Sequence, residues 1–123
     1  MVNYGAAGFE IDRLDFGLGT PRHALLLASS VGHSPLYAPF EDERLQFVRG
    51  INGVLPATPP EDGVVHPFIR ADIVYFETLN GGAVFSVGSI AWRGCLSYNA
   101  YDNNVSRITE NVLRRFASDD PLP

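Results

Sequence analysis

The string Gly5-Ala6-Ala7-Gly8-Phe9-Glu10 brings small residues together with a single carboxylate. Small side chains let two backbones approach closely, so the string sets Glu10 beside a turn. It reads either as an ordinary loop or as a loop that offers Glu10 to a site, and residue type alone leaves both readings open. Ser86, Ser89 and Trp92 form a second group. They straddle the end of an apolar stretch that reads as a strand, and open α/β sheets collect their ligands beyond strand ends. The alternative is a strand that needs small residues beneath a neighbouring helix.

Other signals carry less chemistry. Asp15-Phe16-Gly17 matches the magnesium-binding triplet of kinases, but the chain is too short for a kinase and lacks the glycine-rich and catalytic-loop signatures that give the triplet meaning. Gly88-Ser89 does not complete the Gly-x-Ser-x-Gly elbow that exposes a nucleophile. Cys95 has only Arg93 near it to favour a thiolate, so it reads as an ordinary, partly buried cysteine. His23, His33 and His66 show neither the i, i+4 spacing nor the paired cysteines of a metal site. Asn104-Val105-Ser106 is a formal glycosylation sequon, but its place at a helix start favours capping.

These groups need elements to position them. Leu25-Leu26-Leu27-Ala28, between breaker-rich stretches, reads as a short strand buried on both faces. Residues 41–48 form either a short strand or one helical turn, and residues 50–67, rich in glycine and proline, form an irregular connection. Residues 71–78 and 83–90 are rich in β-branched and aromatic residues and read as strands. Leu79-Asn80-Gly81-Gly82 between them tolerates the positive φ of a tight antiparallel hairpin. Val105, Ile108, Val112, Leu113 and Phe116 recur at helical spacing, which predicts a helix over 104–117 with one face on the sheet. Asp102, Asn103 and Asn104 are cap formers, Glu110 precedes Arg114 by four, and Arg114 and Arg115 complement the negative helix end.

A chain of 123 residues makes one domain, residues 1–123. Charged residues are 19% of the chain against about 25% in typical soluble domains, which leaves little polar surface. A domain this small buries only about two-thirds of its unfolded surface, and a bare sheet edge is an association site, so a homo-oligomer is expected. The net charge of −5 and the absence of a basic cluster exclude the phosphate-neutralising surface that nucleic-acid binding needs. One cysteine cannot make an intrachain disulfide, which suits a reducing, cytoplasmic setting. The amino-terminal residues show no signal peptide and no run long enough to anchor in a membrane.

Longer strings carry a resemblance. Gly81-Gly82-Ala83-Val84-Phe85-Ser86-Val87-Gly88-Ser89-Ile90, then Trp92, then residues 101–116 from Tyr101-Asp102-Asn103-Asn104 to Arg114-Arg115-Phe116, are similar to the carboxy-terminal part of the large (beta) subunit of N,N-dimethylformamidases. Residues 5–13, Leu18-Gly19-Thr20-Pro21 and residues 70–78 fit the same family, and residues 39–67 fit it least. The resemblance implies an α/β fold, part of a three-layer glutamine-amidotransferase-like (flavodoxin-like) domain with a β-hairpin and a carboxy-terminal helix. It implies a component of an iron-dependent hydrolase that cleaves a small N-substituted formamide into amine and formate. In that family tyrosine and glutamate side chains hold the iron, metal-bound water is the nucleophile, and a nearby carboxylate serves as general base.

Carried over by position, Glu10 is the candidate catalytic carboxylate, and Ser89, Trp92, Asp102 and Asn103 are candidate substrate-pocket walls. No metal ligand maps onto this chain. Its implied partners are the upstream part of the large subunit or a second polypeptide, with a small amide as substrate. Tyr98-Asn99-Ala100 stands where the family leads us to expect a smaller, glycine-containing stretch. A non-catalytic remnant or interaction module of the same fold is the alternative reading.

Overall fold

In the computed structural model, residues 5–34, 37, 68–120 and 122 are described. The chain divides into two units, residues 1–30 with 71–123, and residues 31–70. In the second unit, the Tyr37 N–H donates to the Ser34 carbonyl at 3.0 Å and the His33 and Tyr37 rings stand 5.4 Å apart. The expectations for residues 41–48 and 50–67 lie outside the described residues.

The first unit contains one antiparallel sheet of β1 (Leu25–Ser30), β2 (Ala71–Glu77) and β3 (Ala83–Ser86), in that order. Aromatic and β-branched side chains meet across β2 and β3, where Tyr75 faces Phe85 and Phe76 faces Val84. The hairpin forms where its turn residues predict it. The Thr78 N–H donates to the Gly82 carbonyl at 2.7 Å, and Gly81 sits at φ +79°, a conformation that costs glycine little. On the other side β1 pairs with β2, with Leu25 opposite Tyr75, Leu26 opposite Val74, and a bulge before Ala28 meets Ile73.

β1 forms as a strand, but the expectation that it is buried on both faces is not met, because all six of its residues are exposed. Among the described residues it is an outer strand of the sheet, next to β2. Among the described residues of this unit the buried apolar ones are Ala24, Ala71 and Val74. The second strand of the hairpin is also shorter than expected, ending at Ser86 rather than residue 90. Gly88, at φ +60°, turns the chain out of the strand.

Beyond this turn come α1 (Trp92–Cys95), a 3-10 turn (Tyr98–Tyr101) and α2 (Asn104–Phe116). Asn99, Ala100 and Tyr101 all have positive φ. Of the three cap formers, Asn103 is the N-cap, and its side-chain oxygen accepts from the Ser106 N–H at 3.0 Å. The Glu110–Arg114 pair forms at 2.6 Å on the exposed face. α2 meets α1 rather than lying flat on the sheet, because the Trp92 indole N–H donates to the Thr109 hydroxyl at 3.0 Å. Consequently no α2 residue is buried. Among the described residues no helix is long and apolar enough to cross a membrane.

Candidate functional site

Past Ser86 the hairpin strands part, and residues 10–12 fill the gap. The Asp12 N–H donates to the Gly88 carbonyl at 2.9 Å, while the Asp12 carbonyl accepts from the Asp72 N–H at 2.9 Å. Ile11 bridges to Ser89, and the Glu10 carbonyl accepts from the Ile90 N–H at 3.3 Å. The backbone that carries Glu10 is therefore bonded to the start of β2 on one side and to residues 88–90 on the other.

Two side chains and a glycine complete this clamp. The Ser89 hydroxyl donates to the Gly8 carbonyl and accepts from the Gly8 N–H, each at 2.9 Å, and accepts from the Ala91 N–H at 3.2 Å. Among the described residues Asp72 is the largest fully buried side chain, 1% exposed. A carboxylate that deep requires donors. Its oxygens accept from the Leu14 N–H at 2.8 Å and the Ser29 hydroxyl at 2.5 Å, which ties the amino-terminal segment to β1 and β2. At Gly88 a Cβ would collide with the Asp72 carbonyl, and would stand 2.7 Å from the Asp72 nitrogen and 2.9 Å from the Asp12 carbonyl. Only glycine fits.

Glu10 itself is exposed, after a tight reversal at Phe9, whose φ is 63°. Its main chain is held and its carboxylate is open to solvent, an arrangement that can present a proton acceptor to a molecule arriving from outside. Ser89 is bridged to Ile11, the next residue, with its hydroxyl committed to the backbone of Gly8 and Ala91. Trp92 lines a cleft of about 250 Å³ together with Ala6, Ala7, Ser29, Ser30 and Val87. Asp102 and Asn103 line a different groove, with Tyr101, Arg107 and Glu110. The structure thus brings Glu10 and Ser89 together through backbone bonds, and sets Trp92 and the Asp102–Asn103 pair in two separate depressions.

Sequence reasoning missed Asp72 and the role of Gly88. The available signal was a carboxylate set immediately before the apolar run of residues 73–76 in a strand. The kinase-like triplet resolves as a self-bonded turn. The Arg13 guanidinium, 2.7 Å from Asp15, and the Gly17 N–H, at 2.9 Å, hold the Asp15 carboxyl below its usual range, and the Thr20 hydroxyl accepts from the Asp15 N–H. Cys95 is a half-buried free thiol. Among the described residues no group of three or more His, Cys, Asp or Glu side chains could hold a metal ion.

Comparison with known proteins agrees with the sequence strings. The chain is 51% identical over its full length to the N,N-dimethylformamidase beta subunit of Paracoccus aminophilus, and 50% identical over its full length to that of an Alcaligenes species. It spans 15% of the length of each relative. A family model described as N,N-dimethylformamidase beta subunit-like, C-terminal, matches residues 2–104. With most of its length matched and Glu10, Ser89, Trp92, Asp102 and Asn103 all inside the matched range, this chain belongs to the family of N,N-dimethylformamidase beta subunit-like carboxy-terminal regions.

Proposed function

We propose that this chain is the carboxy-terminal component of an amide hydrolase resembling N,N-dimethylformamidase, and that Glu10 is its general base. The observation that carries this reading is the clamp, which fixes the Glu10 main chain between β2 and residues 88–90 while leaving the carboxylate in solvent. In the reaction the resemblance implies, Glu10 takes a proton from water as the water oxygen bonds to the formyl carbon. The C–N bond then breaks, the proton passes to nitrogen, and amine and formate leave. Trp92 is the residue we assign to the wall of the substrate pocket, Ser89 fastens the segment that carries Glu10, and Asp102 and Asn103 line a separate groove.

The iron implied by the family finds no donor set here, since no metal-binding cluster exists among the described residues. We assign its ligands to polypeptide outside this chain. The fold we propose is part of a three-layer glutamine-amidotransferase-like domain, a reading supported by the bareness of β1, an apolar strand suited to cover on both faces. The hydrolase would be completed by the rest of the large subunit or a second polypeptide. The lone cysteine favours a cytoplasmic setting. Sedimentation at micromolar concentration tests for self-association.

The test of function is a chimera in which this chain replaces the matched segment of the Paracoccus aminophilus relative, assayed for dimethylamine release from N,N-dimethylformamide. We expect activity, and we expect Glu10→Gln to lower kcat by about 10²- to 10⁴-fold without shifting the melting temperature. Equal activity in the Glu10→Gln chimera would favour the interaction-module reading.

A further inference from the structure

β1 has the composition of an interior strand and the position of an edge. Leu25-Leu26-Leu27-Ala28-Ser29-Ser30 carries no charge and no proline, yet Leu25, Leu26 and Leu27 are each at least half exposed. Proteins guard a sheet edge with charge, proline, a bulge or short length. β1 has only its bulge, across six residues. The opposite edge differs, because β3 has four residues that alternate between half-buried and exposed, with Val84 as its one large exposed apolar side chain. The cleft lined by Ala28, Ser29, Ser30 and Trp92 opens at the end of β1, and its lining contains no charged side chain. Surface of this kind takes an uncharged occupant.

The relatives identify the source of that occupant. This chain accounts for 15% of their length, so most of a beta subunit lies outside the matched segment. We propose that β1 is the docking edge for the remainder of the beta subunit, which adds an extended, uncharged, apolar segment along residues 25–29. The proposal rests on the chain's place in a larger subunit and is independent of the role of Glu10.

Hydrogen exchange read by mass spectrometry tests it, comparing the full chain alone with the chimera described above. In the chimera we expect the β1 peptide to exchange at least about tenfold more slowly, with a smaller change at β3. Leu26→Lys should leave the melting temperature of the chain alone within about 2 °C and lower that of the chimera. Equal β1 exchange in both proteins overturns the proposal. So does β1 protection already present in the monomeric chain, which would mean that the edge needs no partner. Protection that grows with the concentration of the chain alone assigns the edge to a second copy and also overturns it. An active chimera with an unprotected β1 refutes the docking edge alone, whereas an inactive chimera with a protected β1 refutes the hydrolase reading alone.

Discussion

Gly88→Ala probes the clamp at its tightest point. The added methyl would collide with the Asp72 carbonyl and stand 2.7 Å from the Asp72 nitrogen, and all its near neighbours are backbone atoms that cannot swing aside. Holding alanine at φ +60° costs about 1–2 kcal/mol. Relieving the collision separates Gly88 from Asp12 and Asp12 from Asp72, breaking two hydrogen bonds worth about 0.5–1.5 kcal/mol each. The sum is about 2–5 kcal/mol, against a total stability of about 5–15 kcal/mol for a typical domain. Urea unfolding of the full chain followed by circular dichroism measures it, and hydrogen exchange at Glu10–Asp12 localises it. A variant within about 0.5 kcal/mol of the parent, the range of ordinary surface changes, would show that residues 10–12 are not wedged as described.

Three further outcomes follow from the same geometry. Ser89→Ala strips partners from the half-buried Gly8 and Ala91 N–H groups and should cost about 1–3 kcal/mol in urea unfolding; Ser89→Thr keeps the hydroxyl and should recover part of this. Asn103→Ala removes the α2 cap and should cost about 1 kcal/mol, with lost helical ellipticity. Asp15 has a folded-state pKa below its unfolded value of 3.8, so its stabilising contribution is present above pH 3.8 and is lost as pH falls through the folded value. NMR titration should place its midpoint below 3.8, and Asp15→Asn should flatten the acid limb of the stability curve.

Elements built from neighbouring residues were legible in the sequence. The Asn80-Gly81 turn and the flanking β-branched runs specify the hairpin locally, and the apolar spacing with the Asn103 cap specifies α2. Family membership was legible because it resides in contiguous strings, and for the same reason Glu10 could be singled out. Burial was harder to read. Leu25–Ala28 has the composition of a core strand, but composition does not say which polypeptide supplies the core, and here β1 stands bare at the edge. The extent of β3 was misread because Val87, Ser89 and Ile90 keep strand-like composition past the turn at Gly88.

The sequence alone determined the hairpin, the carboxy-terminal helix and the family, since each is set by residues within a few positions of one another. Tertiary structure alone decided how Glu10 is held. Gly8 and Ser89 are 81 positions apart, and Leu14 and Asp72 are 58 apart. No local pattern marks bonds across such separations, because a hydroxyl or a buried carboxylate acquires its partner only when the strands that carry them come together.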